Sequence, residues 1–396
     1  MRSAGYILIL AVLFYGCLNS SGNNETAEDS VQYYPPTPGQ LDKQQFRHYY
    51  RVLSSFFDSN LLHNNFNGGI LIAKDGSIVY EKYSGYTDLR TRDTLTDSSA
   101  LHIASASKPF TAMAVLQMAE RRQLSIDDSL GSFFPGFPYP GITVKMLMNH
   151  RSGLPNYMYF MSEGGWDKTQ YVTNNDVLNF IYSQKPKLSF PAGTRFSYSN
   201  TNFVLLALII EKISGLSYPA YMRKEIFGPI GMKDTYVLTL ADTLTAIPSF
   251  DWNGNFWKND FLEATYGDKN IYSTPRDLLK WDQVLYSGQF LQQPLLDSAF
   301  TPYSFEKEGK HNYGLGWRLL ILPGGKKVIY HFGRWHGFNA AFARLTDEKA
   351  TIIILGNRFT RSIYDAALKA YDIFGNYLES EGEDDETDSS APKKEK

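Results

Sequence analysis

The sequence predicts an α/β fold of the α+β kind. An antiparallel sheet is assembled from both ends of the chain and flanked by helices, with a mostly helical insertion over about residues 108–262. Three observations carry this expectation. Near the front, apolar runs at 69–73 and 78–80 flank Lys74, Asp75, Gly76 and Ser77, and the Asp-Gly pair favours a tight hairpin. Strand patterns return only near the other end, at 314–320, 328–332, 338–344 and 349–355. Between them the pattern is helix and loop, so the sheet must close from the two ends, and a ligand cleft is expected where insertion meets sheet.

The remaining elements follow from composition and punctuation. A helix is expected over 41–59 and a closing helix over 362–378. Residues 18–40 hold Ser, Asn, Pro and acids without periodicity and read as a flexible tether, while 41–378 form the folded body. Residues 379–396 hold eight acids and three lysines with no aromatic or branched apolar residue, so they read as a solvated acidic tail.

Composition limits the function. With 39 basic against 41 acidic side chains, the net charge of -2 offers no cationic excess for phosphate neutralisation, so nucleic acid is excluded as a partner. Small molecules or short peptides are the expected ligands. Met1, Arg2 and Ser3 precede an apolar run from Ala4 to Gly16 that is too short for a comfortable membrane span, as in a secretory signal. The lone Cys17 excludes a disulfide within the chain.

The first chemical motif is Ser105, Ala106, Ser107, Lys108. It opens a run whose apolar residues Phe110, Met113, Ala114, Leu116 and Met118 fit an amphipathic helix. With Ser105 near the N-cap, Lys108 lies one turn later on the same face and Pro109 falls where a missing amide hydrogen costs little. A hydroxyl beside an amine is what a lysine-activated serine nucleophile needs. The spacing alone is common, and it recurs at Ser304 with Lys307 and at Ser390 with Lys393. A second motif, Tyr198, Ser199, Asn200, precedes a helical run, and a third, His331, Phe332, Gly333, closes a strand pattern. In isolation these are more often a turn tyrosine with a capping asparagine and a structural histidine than catalytic groups.

Taken in order, the three motifs resemble those of the serine beta-lactamase and penicillin-binding-protein superfamily, in the group near class C enzymes, D-Ala-D-Ala carboxypeptidases and esterases. The stretches 144–157, 273–278 and 313–317 are similar as well, and the likeness spans about residues 65–360. It implies a beta-lactamase/transpeptidase-like fold and a metal-independent, cofactor-free serine hydrolase. In that reading Ser105 attacks a carbonyl, Lys108 and Tyr198 manage its proton, and Asn200 helps hold Lys108 and the substrate. His331, Gly333 and Arg334 bind substrate, with the Arg334 amide completing an oxyanion hole. Free amines and phenols titrate about three units too high for a base at neutral pH. A cation about 4 Å from a phenol at an effective dielectric near 20 supplies about the 4 kcal/mol required. Which of the two takes the proton stays open.

Two departures shape the expected substrate. Where the lactamase form carries Lys-Thr-Gly, a neutral His331 gives no fixed charge for a substrate carboxylate. Its ordinary pKa near 6.5 predicts a step in activity near neutrality. Arg334 is bulky where small residues are usual, and its side chain either restores the charge or faces solvent. D-amino-acid peptides, esters or amides are therefore expected, with weak or no beta-lactam turnover; the alternative is a non-turnover penicillin-binding or sensor protein. No carboxylate or thiol stands near His331 and His336 in sequence, so no metal site is expected. Tyr157, Tyr159, Trp166 and Tyr171 line a groove or cover the core. Gly16-Cys17 resembles a bacterial lipobox, which implies lipidation at Cys17, a membrane anchor and an extracytoplasmic location at the bacterial envelope, periplasmic or outer-membrane.

Overall fold

The structure is a computed structural model and describes residues 32–377. The expected signal, Cys17, most of the tether and the acidic tail lie outside the described residues.

The main sheet has seven antiparallel strands: β1 (Gly68–Lys74), β2 (Ser77–Ser84), β3 (His311–Tyr313), β4 (Arg318–Ile321), β5 (Lys327–Trp335), β6 (Phe338–Leu345) and β7 (Ala350–Gly356). Their order is β2-β1-β7-β6-β5-β4-β3, so the chain ends meet at the β1–β7 pair, where Ile70 faces Ile354 and Ile72 faces Ile352. Asp75 and Gly76 both take positive φ in the β1–β2 turn, as an Asp-Gly hairpin requires. Five helices matter for the site: α1 (Lys43–Phe57), α2 (Lys108–Glu120), α3 (Asn200–Ser214), α4 (Pro275–Val284) and α5 (Ser362–Lys369). The sheet divides two cores. Ile329, Phe342, Ile353 and Leu355 pack with α2, α3 and α4, while Val328, Tyr330, Ala341 and Ile354 pack with α1 and α5.

Several expectations are corrected. The run after Lys108 is not amphipathic: every residue from Lys108 to Met118 is buried, because α2 lies inside the larger core. The single strand expected at 314–320 is two, β3 and β4, broken by a turn in which Gly316 has φ +81°. A Cβ there would fall 2.4 Å from the Ala112 Cβ on α2. The closing helix ends at Lys369 and tightens into a 3-10 turn, Ala370–Ile373. The middle also contributes to a small sheet of Leu101–His102, Ile271–Ser273 and Tyr236–Val237, whose strands are too short to leave a period in the sequence.

β5 pairs with β6 from Val328 to Trp335 but with β4 only from Lys327 to Tyr330. Beyond Tyr330 that edge carries no strand among the described residues, and the turn bearing Ser105 packs against it. A Cβ on Gly333 would fall 2.3 Å from the Ile103 carbonyl oxygen and 2.8 Å from the Ser105 nitrogen, so only glycine permits this approach.

Candidate active site

Ser105 sits in a 3-10 turn, Ala104–Ser107, that leads into α2; it is not a helix cap, and no side-chain cap bond is made at Ser107 either. Ala104, just before it, has φ +50°, a conformation that costs a residue with a Cβ. Three bonds hold it. The Ala104 amide donates to His102 Nδ1 at 2.9 Å, His102 Nε2 then donates to Asn270 Oδ1 at 2.9 Å, and the Ile103 amide donates to the Ile271 carbonyl at 2.9 Å. His102 is fully buried, which pushes its pKa down to about 4 and keeps it neutral for this task.

Lys108 Nζ donates to Ser105 Oγ at 3.0 Å and to the Asp268 carbonyl at 2.8 Å, and the side chain is fully buried. It lies 5.0 Å from the centre of the Tyr198 ring and 5.7 Å from that of Phe203. Ser105 and Lys108 therefore share one site with Tyr198, which follows Lys108 by ninety positions. Asn200 reaches the same region but does not hold Lys108: its Nδ2 lies 2.9 Å from Met158 Sδ, and its Oδ1 is buried without a partner among the described residues. The Asp268 carbonyl takes that place. It sits in a loop tied by Lys269, whose buried Nζ donates to the Leu262 and Thr265 carbonyls, to Thr265 Oγ1 and to Tyr157 OH, while Tyr157 OH donates onward to the Asp268 carboxylate at 3.1 Å.

His331 differs most from expectation. Its side chain is completely buried. Nδ1 faces the Phe332 carbonyl at 2.8 Å, which assigns the proton to Nδ1 and leaves Nε2 to accept from Tyr313 OH at 3.1 Å. Burial, then the cations Arg318 and Lys108, hold its pKa well below 6.5. It is thus a neutral ring packed 6.5 Å from the Tyr198 ring, neither a switch near neutrality nor a cation. The side chain of Arg334 is exposed, with its guanidinium 5.7 Å from the Phe359 ring centre, which leaves only its backbone for the site.

Sequence reasoning missed two groups. His150, with φ +56°, lies 4.3 Å ring to ring from Tyr198, and its Nδ1 accepts from the Ser199 amide and from Asn202 Nδ2. Burial, then Lys108, keep it neutral as well. Arg318 opens β4 opposite Tyr330 and holds its guanidinium 5.3 Å from the Tyr198 ring centre. A fixed cation therefore stands at the site after all, supplied by the neighbouring strand.

His336, with no carboxylate near it in sequence, has two beside it in three dimensions. Asp260, Glu263 and His336 bring possible ligand atoms within 4.8 Å of one another. Glu263 is already engaged, accepting from His336 Nε2 at 2.6 Å and from Trp335 Nε1 at 3.2 Å. Burial raises its pKa, but the His336 bond and the charges of His336, Lys269 and His102 together outweigh this and leave it below the usual value. Of the four aromatics, Tyr157 is buried core, while Trp166 and Tyr171 line an open hollow of about 340 Å³ with Asp167, Gln170 and Asp176.

A family model described as Beta-lactamase matches residues 63–373. The chain belongs to the beta-lactamase family. Within that family it is 32% identical over 335 residues to penicillin-binding protein 4* of Bacillus subtilis, covering 80% of this chain and 73% of the relative. It is 28% identical over 328 residues to a D-aminopeptidase of Brucella anthropi, covering 82% of this chain but only 62% of that relative. Among solved structures, a penicillin binding protein from Bacillus halodurans superposes with a TM-score of 0.72 at 24% identity, covering 81% of this chain and 99% of that one. The D-amino acid amidase of Ochrobactrum anthropi SV3 gives 0.68 at 22%, covering 82% and 99%. These likenesses establish the beta-lactamase/transpeptidase fold, a hydrolase scaffold, for this beta-lactamase family member.

Proposed function

We propose that this beta-lactamase family member is a serine hydrolase that forms an acyl-enzyme on Ser105 and acts on peptides, amides or esters of D-amino acids. The observation that carries the reading is the 3.0 Å bond from a fully buried Lys108 Nζ to Ser105 Oγ. In the reaction, Ser105 Oγ bonds to the substrate carbonyl carbon as its proton passes to the Lys108–Tyr198 pair. The pair returns that proton to the departing amine or alcohol as the scissile bond breaks. Water then attacks the ester and restores Ser105. The Ser105 and Arg334 amides would take the negative oxygen, an arrangement supported by how closely Gly333 lies against the Ser105 nitrogen. Names of similar proteins, a D-aminopeptidase and a D-amino acid amidase, support D-stereospecificity. Arg318 beside Tyr198 supports acceptance of substrates that carry a carboxylate. The lipobox-like Gly16-Cys17 supports placing the enzyme on a lipid anchor outside the cytoplasm of a bacterial cell.

Intact-mass spectrometry with a fluorophosphonate and a D-phenylalanine p-nitroanilide tests this. Wild type should take one label and turn over the anilide, and Ser105→Ala should do neither while keeping its fold. Labelling of Ser105→Ala would remove the assignment, and a permanent adduct without turnover would favour a sensor.

A further inference from the structure

Tyr364 on α5 donates its hydroxyl to the Gly333 carbonyl oxygen at 2.8 Å and lies 3.1 Å from Asn339 Oδ1. Its ring stacks on Phe332, with centres 5.5 Å apart and planes 27° apart, so the hydroxyl is aimed by packing rather than by chance rotation. The Gly333 carbonyl and the Arg334 N–H belong to one trans peptide and point in opposite directions. A donor fixed on the carbonyl therefore fixes the direction of the amide hydrogen on the far side. It also withdraws electrons from that N–H and makes it a stronger donor. The same peptide belongs to the stretch of β5 that lies against the Ser105 turn, where the edge has lost its partner strand. We propose that Tyr364 is a positioning residue for the oxyanion site: it orients and polarises the Gly333–Arg334 peptide whose N–H receives the substrate oxygen. This rests on the serine hydrolase reading above, and Tyr364 touches neither substrate nor Ser105 in it.

The size of the effect follows from two magnitudes. An oxyanion donor is worth about 10²–10³ in kcat, and hydrogen-bond polarisation changes a linked bond by about 10–30%. Removing the Tyr364 hydroxyl should then lower kcat about two- to eightfold with KM within about twofold. Tyr364→Phe keeps the ring and its stack. The decisive measurement is the carbonyl stretch of the acyl-enzyme by infrared difference spectroscopy, which a merely structural tyrosine would leave in place. In Tyr364→Phe the stretch should move to higher wavenumber, because the carbonyl is less polarised, and a thionoester, whose sulfur uses the oxyanion donors poorly, should lose less rate than its oxygen counterpart. Should Tyr364→Phe not fold, 3-fluorotyrosine at position 364, a stronger donor, should move the stretch the opposite way. An adduct whose carbonyl is indifferent to both changes, or a loss carried wholly by KM, overturns this proposal alone. A wild-type enzyme that forms no acyl adduct overturns both readings.

Discussion

Lowering the pH from 7.5 to 5.5 should destabilise this fold through three histidines. His102, His150 and His331 are each about 99% or more buried, and each has its pKa lowered, chiefly by burial. The folded chain holds these rings neutral, so below pH 6.5 the unfolded chain binds the extra protons. Stability is therefore complete above about 6.5 and is lost as pH falls. At pH 5.5 a histidine of ordinary pKa is about nine-tenths protonated when unfolded, which costs about 1.4 kcal/mol for each ring kept neutral, or about 4 kcal/mol for the three. That is a large share of the 5–15 kcal/mol typical of a folded domain. For His102, with a folded value of about 4, the loss continues to about that pH. Urea titrations at pH 7.5, 6.5 and 5.5 should show the midpoint falling with an unchanged slope. His331→Asn should remove about a third of the loss between 7.5 and 5.5, since asparagine can donate to the Phe332 carbonyl in place of Nδ1 and does not titrate. A midpoint that does not move, or a His331→Asn curve parallel to wild type, would refute the reasoning.

Other substitutions test the site. Gly333→Ala should cost at least about a hundredfold in kcat and about 1–3 kcal/mol in stability, because its Cβ would enter the Ile103 carbonyl; near-normal rates would show that β5 and the Ser105 turn are not held together. Lys108→Met and Tyr198→Phe should each lower kcat at least about a hundredfold, read in steady-state anilide hydrolysis. Arg318→Gln should raise KM about tenfold for acyl donors bearing a carboxylate and leave neutral esters within about twofold, an outcome checked by paired substrates that differ only in that group.

The main sheet was legible because each of its long strands is a local apolar run and its first hairpin carries an Asp-Gly turn. Ser105, Lys108 and Tyr198 were legible because their motifs come in one order, and the structure brings the three side chains to one place. What was hidden depends on partners distant in sequence. The buried environment of α2 is set by α3, α4 and the sheet, none of which its own residues encode. His150 lies beneath Tyr198 only because the turn at φ +56° is stitched to the start of α3 by the Ser199 amide and Asn202. The carboxylate that pairs with His336 comes from 73 positions away. His331 misled because an unperturbed pKa is a property of the free ring, and complete burial beside two cations replaces it.

The displaced cation changes what the third motif means. A lysine at position 331 would stand on β5 itself, whereas here a neutral imidazole fills that place and a guanidinium enters from Arg318, on β4, beside Tyr330. The two arrangements divide the work differently. His331 donates through Nδ1 and accepts through Nε2, so it braces Tyr313 and packs near Tyr198 without adding charge. Arg318 keeps its charge at any pH the fold survives, so attraction for a carboxylate need not follow the titration of a ring. The third motif itself carries no fixed cation, and Arg318 on the neighbouring strand places one beside Tyr198. Around Ser105 the shape of the site is set where β5 ends its pairing with β4 and Gly333 lies against the Ile103 carbonyl and the Ser105 nitrogen.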